Sequence, residues 1–219
     1  MTYTSRLPDV AVVKKLKSSR QANAEATSAR IVHHAYELLC ERGYRGTTME
    51  AVAGRAGVAV QTVYFVFHTK DDLLQAVHSW TVLGEENQPP QLQGWHIAAL
   101  READAARALE KLVAGVATIN ARMAPLIPVY HAVSMDPAGE IYRRSELLRR
   151  DDMDQLVDTL TKKTPLRRGL TRRQAADLIF VLTGPECYRS FVLDAGWTQQ
   201  QWVRWVSRTL RHDLLLLPS

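Results

Sequence analysis

The stretch TTMEAVAGRAGVAVQTVYFVF, Thr47 to Phe67, decides the fold. It holds two short helical patterns on either side of Gly57. In the first, Met49, Val52, Ala53 and Ala56 form one apolar stripe at helical spacing. In the second, Val63 and Phe67 lie four apart on an inner face, with Ala59 and Val66 near the same side. Val60, Gln61, Tyr64, Phe65 and His68 are left for the outer side. Gly57 provides a turn that takes a positive φ without a side-chain clash, and Val58 plugs the corner beyond it. Two helices this short cannot form a domain alone. Braced by the helix before them, they make a helix-turn-helix, a device that holds one helix proud of its support. Such a helix fits the wide major groove of duplex DNA, where helix N-termini and basic side chains meet phosphates.

The flanks support this reading. Ile31, Val32, Ala35, Leu38 and Leu39 repeat at helical spacing from Ala24 to Gly43, a natural C-terminal stop. Thr47 and Glu50 have the S/T-x-x-E spacing of a capping box, so the second helix starts at Thr47 or Thr48. Thr69 and Asp72 repeat that spacing and launch a fourth helix through Leu73, Leu74, Val77 and Trp80.

Length and charge agree with a two-part molecule. The chain has 219 residues, 46% of them apolar, enough for a real core in one large domain or a small domain joined to a larger one. Residues 1–70 carry ten Lys or Arg against five Asp or Glu, while residues 71–219 carry eighteen of each, so all of the net +5 sits in the first third. A basic segment on an electrically balanced body suits a module that meets a polyanion attached to a part that does something else. Residues 1–24 are polar and basic and read as a mobile arm. Residues 25–70 then form the DNA-binding module and 71–219 the larger body. The N-terminal stretch has no continuous apolar run of signal-peptide type, and the longest aliphatic run, Leu214 to Leu217, is too short to cross a bilayer. With only Cys40 and Cys187, a disulfide framework or thiolate metal site has no support. A reducing cytoplasm and no membrane partner are expected.

The stretches ARIVHHAYELLCERGY, TTMEAVAGRAGV, QTVYFVF and HTKDDLL, in unbroken order from Ala29 to Leu74, resemble the DNA-binding domain of the TetR family of bacterial transcriptional regulators. The family's usual pattern has a small or hydroxyl residue at the place of Ala59, often a glycine at that of Gln61 and a histidine near Phe65 or Val66. Those departures fall on the reading helix and bear on sequence preference more than on fold. The resemblance implies phosphate contacts from Thr48, Thr62, Tyr64 and Lys70, with Arg45 and Arg55 adding to them. It implies that Val60 and Gln61 face base edges, with Phe65 beside them on the outer side. A glutamine amide can pair with adenine N6 and N7 and a Val60 methyl suits the thymine methyl.

The remaining chain also reads as helical, giving an all-α fold. A loop over TVLGEENQPPQLQGWH is expected from Pro89, Pro90 and two glycines. Helices follow over Asp104 to Met123, then a bent segment around Pro125 and Pro128, Pro137 to Lys163, a helix from Thr171 with a kink near Val181 to Pro185, and Thr198 to about Leu216. In the last of these Trp202, Val206 and Leu210 form a stripe. The resemblance implies a homodimer paired through the last two long helices, which places two reading helices roughly 34–36 Å apart, or a multiple of it, on a palindromic operator. It also implies a pocket in the body for a small-molecule effector. Candidates to line it are Trp80, Trp95, Ile119, Met123 and Ile127, together with Tyr130, His131, Met135, Met153 and Tyr188. Their aromatic and thioether content suits a mostly apolar compound.

Catalysis has no support in the sequence. His33 and His34 splay about 100° apart on a helix, no His/Asp/Glu set has metal-ligand spacing, and no G-x-S-x-G, P-loop or G-x-G-x-x-G occurs. No cofactor is expected. The alternative to a ligand-responsive repressor is an effector-free DNA-binding adaptor under a protein partner's control, which a cavity too small for any ligand would favour.

Overall fold

The computed structural model describes residues 10–216, with side chains from residue 21 onward. Among these residues the only β-type pairing is an isolated antiparallel bridge between Leu166 and Leu215; everything regular is helical.

The first helix, α1, spans Val10–Gly46. It is already helical at Val10, where the sequence reading expected an arm up to residue 24; residues 1–9 of that arm lie outside the described residues. Neither glycine nor proline occurs from Val10 to Arg42, and the run is rich in Ala, Lys, Arg, Gln and Glu. Strong helix formers of this kind need no apolar stripe to continue a helix once it is nucleated. The expected stop at Gly43 is a break, with φ 68° and ψ −179°, after which one more turn follows.

Next come α2 (Met49–Ala56), α3 (Val60–Val66) and α4 (Lys70–Leu83). The α2 cap is Thr48, whose Oγ1 accepts the Ala51 N–H at 3.1 Å. Thr47, offered as the box partner of Glu50, is instead buried behind the Gly43 break and donates its hydroxyl to the Gly43 carbonyl at 2.9 Å. A buried hydroxyl requires a partner, and the broken turn leaves that carbonyl free to supply one. The Thr69–Asp72 box forms in full at the start of α4, each backbone N–H bonded to the other's side chain at 3.1 and 3.0 Å. Ile31, Ala35 and Leu38 of α1, Val52 of α2, Val63 of α3 and Leu74 of α4 meet in one core.

The body contains α5 (Gly94–Arg101), α6 (Ala105–Met123), α7 (Ile127–Ala132), α8 (Glu140–Thr161) and α9 (Arg172–Leu182). It ends with α10 (Pro185–Tyr188), continued by a π-helical stretch Arg189–Asp194, and α11 (Gln199–Leu214). The segment read as a loop, residues 81–96, holds the last turn of α4 up to Leu83 and a short 3-10 turn opened by Pro90, and α5 begins in its last three residues because neither glycine nor proline follows Gly94 up to Arg101 to interrupt a helix. At Pro185 the expected kink is a complete break, since Gly184 is extended and the proline starts a new helix. Leu109 and Val113 of α6, Leu160 of α8, Ile179 of α9 and Trp202 and Leu210 of α11 form the second core.

Helix α6 lies at its centre. The segment Ala105–Ala132 is long and apolar enough by composition to cross a membrane, yet it is divided by Pro125 and Pro128, and over half of its apolar window is buried in the protein. The two cores meet at its end. Met123, Ile127 and Tyr130 belong to the first core, together with α4, so packing crosses the boundary drawn at residue 70.

The stripe Trp202, Val206 and Leu210 on the last helix is fully buried within the protomer. Exposed apolar side chains nearby are Val181 and Leu193.

Candidate DNA-contacting face and the cavity behind it

Helix α3 has seven residues and a single buried one, Val63, with Phe67 just past its end as a second anchor. Burying a valine contributes about 1.5–3 kcal/mol, so these two side chains hold the helix to the core. Its angle is set by Gly57, which closes α2 at φ 64°, ψ 38° while its N–H bonds back to the Ala53 and Gly54 carbonyls. The result is an outer edge in water: Gln61 is exposed, Tyr64 is 44% exposed and Phe65 83% exposed. Val60 and Thr62 are half-buried, and Val60 rests on the rim of the core. Ala59, assigned to the inner side, is exposed because it is the extended cap residue before the helix, outside the helical wheel that placed it.

Around that edge stand the residues expected to hold phosphates. Thr48, Arg45 and Arg55 are exposed and Lys70 is half-buried. Arg55 makes a two-pronged ion pair with Glu41 at 2.7 and 2.8 Å, which ties α2 to α1, holds the Glu41 carboxyl below its ordinary range and compensates part of the arginine's charge. Lys70 opens α4 with its ammonium 4.1 Å from the centre of the Tyr44 ring, and the Tyr44 hydroxyl donates to Asp71. Burial lowers the lysine's pKa, and Asp71 opposes that shift. The Tyr64 hydroxyl donates to Glu50 at 3.4 Å, a long bond that leaves it free to turn to another acceptor.

Behind this module the body contains a cavity of about 400 Å³, walled by α5, α6, α8 and α9 and reached by the end of α4. Trp95, Ile119, Met123 and Met153 line it, as the sequence reading placed them. The other six candidates lie elsewhere. Trp80 turns to α1, its indole edge-on to Tyr36 at 5.1 Å and His33 at 5.9 Å and its Nε1 donating to Glu85. Ile127 and Tyr130 face the DNA-binding module; Tyr130 is 1% exposed, stacked on Tyr142 at 4.6 Å and 3.0 Å from His78 Nδ1. His131 is on the surface beside Glu186 at 3.1 Å, and Met135 is 95% exposed. Tyr188 packs on Trp202 and donates to Gln199 at 2.9 Å. Helical periodicity marks a residue as apolar-facing without saying which of two cores it faces.

The wall also has polar members that the apolar search passed over. Gln91 donates to Asp152 at 2.8 Å, and Arg149 is forked onto Glu146 at 2.9 and 2.7 Å. Asn120, buried, donates to the Thr183 carbonyl at 2.9 Å. Burial raises the Asp152 pKa and lowers that of His96, each partly offset by the other's charge. The charged run RRSELLRRDDMD, residues 143–154, therefore turns Glu146, Arg149 and Asp152 inward at spacings of three. Trp95 lies directly on Gly115 of α6, where any Cβ would overlap the indole. At the other end Val82 of α4 lines the cavity, the Thr81 carbonyl accepts from Arg122 Nε at 3.0 Å, and the Thr81 hydroxyl is 3.7 Å from Met123 Sδ.

A raised helix thus stands on a support of α1, α2 and α4, and α4 reaches the hollow helical body at its far end. Residues 31–77 match the family model described as bacterial regulatory proteins, tetR family. The chain is 39% identical over 59 residues to the uncharacterized HTH-type transcriptional regulator YezE of Bacillus subtilis, a match spanning 26% of this chain and 30% of that relative. Its fold is similar to that of NalD, the secondary repressor of the MexAB-OprM multidrug efflux pump in Pseudomonas aeruginosa (TM-score 0.64, 18% identity, 88% of this chain and 98% of that one). It is similar also to a regulator from Saccharomonospora viridis solved in complex with choline (TM-score 0.67, 14% identity, 88% of this chain and 100% of that one). Residues 31–77 are thus similar to the DNA-binding domain of the tetR family, and the chain as a whole shares the fold of these regulators.

Proposed function

We propose that this chain is a ligand-responsive transcriptional repressor acting in the cytoplasm, binding a palindromic operator as a homodimer and released by a small, mostly apolar molecule. The observation that supports it most is the position of α4, which has Lys70 beside the DNA-contacting face at one end and Val82 in the cavity wall at the other. At 14 residues it is a rod of about 20 Å. A compound seated against Met123 and Val82 presses on the last turn of that rod. The pressure point is thus Val82 and not Trp80, whose side chain faces α1.

Tilting α4 moves Lys70 and α3 relative to the second copy, and two reading helices out of register with successive grooves lose affinity together. By linkage, operator binding weakens ligand binding by the same factor, typically 5- to 150-fold. The cavity's volume supports this reading over an effector-free adaptor, because about 400 Å³ lies within the usual range for small-molecule sites. The test is calorimetric titration of an inducing compound with and without operator duplex: a weaker ligand affinity on DNA is expected, and identical affinities would remove the mechanism.

A further inference from the structure

The cavity wall carries ionisable groups whose charges do not cancel. Arg149 is fully used inside the protein. Its Nε and Nη2 bind Glu146 and its Nη1 donates to the Phe180 carbonyl at 2.8 Å, while its plane lies 3.6 Å from the Phe180 ring centre. It cannot turn to an anion without leaving Glu146 and that carbonyl unpaired. Glu146 is neutralised in the same pair, 2.7 Å from Nη2.

Asp152 differs. One of its oxygens accepts the uncharged Gln91 amide at 2.8 Å, and among the described residues it has no ion pair. His96, the other basic group on the wall, is partly buried and displaced toward its neutral form. On the same helix Asp151 adds a second negative charge next to it. Apart from uncharged polar side chains such as Asn120 and Thr159, the other walls are hydrocarbon: Leu109, Val113, Val116 and Ile119 from α6, Leu156 from α8. A single half-buried carboxylate at one side of an apolar chamber creates a site for one positive charge joined to a greasy body.

We propose that the effector is an amphiphilic cation, an amine or quaternary ammonium compound whose charged centre sits at Asp152 and whose apolar part lies along α6. This rests on the reading of the cavity as an effector site. The unpaired carboxylate then selects ligands by charge, and the forked Arg149–Glu146 pair keeps anions from finding a counter-charge.

Three probes of equal chain length test it by calorimetry on the full chain: octyltrimethylammonium, 1-octanol and octanoate, below their micellar concentrations. The cation is expected to bind about tenfold or more tightly than the alcohol, and octanoate the weakest. Asp152→Asn should bring the cation to the level of the alcohol and leave the alcohol's affinity unchanged, which also shows that the variant is folded. Equal affinity of the native protein for all three probes, tighter binding of octanoate, or an unchanged preference in Asp152→Asn overturns the charge assignment while leaving a ligand cavity in place. Binding of none of the three at millimolar concentration would sink the effector cavity itself, and this inference with it.

Discussion

Two residues near the DNA-contacting face make opposite demands on a nucleic acid, and the difference is measurable. Gln61 is exposed on the outer edge of α3, free to place its amide against a base; Lys70 is a point charge held over Tyr44. Gln61→Ala is expected to relax preference at one base pair per half-site, a loss of roughly 1–3 kcal/mol of discrimination. Lys70→Ala should weaken all sequences alike and reduce the slope of log affinity against log salt by about one per protomer. Competition binding against singly substituted duplexes at several salt concentrations separates the two. A third residue governs acid stability. His78 is buried against Tyr130 at the junction of the two cores, and burial pushes its pKa down to about 4. Its ordinary value is near 6.5, so between those pH values the unfolded chain holds a proton that the folded one does not. Stability present above pH 6.5 is then lost as pH falls toward 4, in total on the order of 3 kcal/mol. Urea unfolding at pH 7.5 and 4.5 should show this loss, and His78→Gln should lose less over the same interval.

At the scale of elements, the same reasoning explains what could be read from the chain alone. The helix-turn-helix was legible because everything that specifies it is local: the spacing of Val52, Ala53 and Ala56, the glycine at 57, the four-residue step from Val63 to Phe67, and the Thr69–Asp72 box. The cavity was legible only in part. Trp95, Ile119, Met123 and Met153 announce themselves as large apolar side chains, whereas Asp152 and Arg149 sit in a run of charge that looks solvated, and Val82 sits in a stretch that looks like a loop. Their inward orientation depends on how α8 and α4 are rotated against α6, which is a matter of contacts between helices far apart in sequence. Trp80 and Tyr130 were misplaced for the same reason, each being apolar-facing but toward the first core.

The α5–α6 contact supplies a prediction at this scale. Gly115→Ala gains about 1 kcal/mol of helix propensity but overlaps the Trp95 indole, and such overpacking costs roughly 1–3 kcal/mol. A net destabilisation of about 1 kcal/mol is therefore expected in denaturant unfolding, together with a change in tryptophan emission that is absent when Trp95→Phe is combined with it.

For the whole molecule, α6 enters both cores while α4 packs in the first and touches the cavity through Val82, and on the proposed function this is the route by which a compound in one part is felt in the other. Filling the cavity end that touches α4 should imitate the effector: Val82→Trp is expected to lower operator affinity without ligand present, and fluorescence anisotropy with labelled duplex measures it. The chain's apolar resources also bear on assembly. With Trp202, Val206 and Leu210 inside the protomer, the proposed homodimer must be built from what stays outside, where Val181 and Leu193 are among the exposed apolar positions. Val181→Glu should raise the dimer dissociation constant in sedimentation equilibrium and cut operator affinity with it, since half an assembly holds only one reading helix.

The central claim, that the outer edge of α3 reads duplex DNA, is tested most directly by anisotropy titration of the purified full chain against duplexes recovered by genome-wide capture of bound DNA, at low ionic strength. Salt-sensitive binding of two protomers per palindromic duplex, weakened at one base pair per half-site by Gln61→Ala, is the predicted result. Absence of any binding to duplex DNA at low salt, or sequence preference untouched by Gln61→Ala, would contradict it.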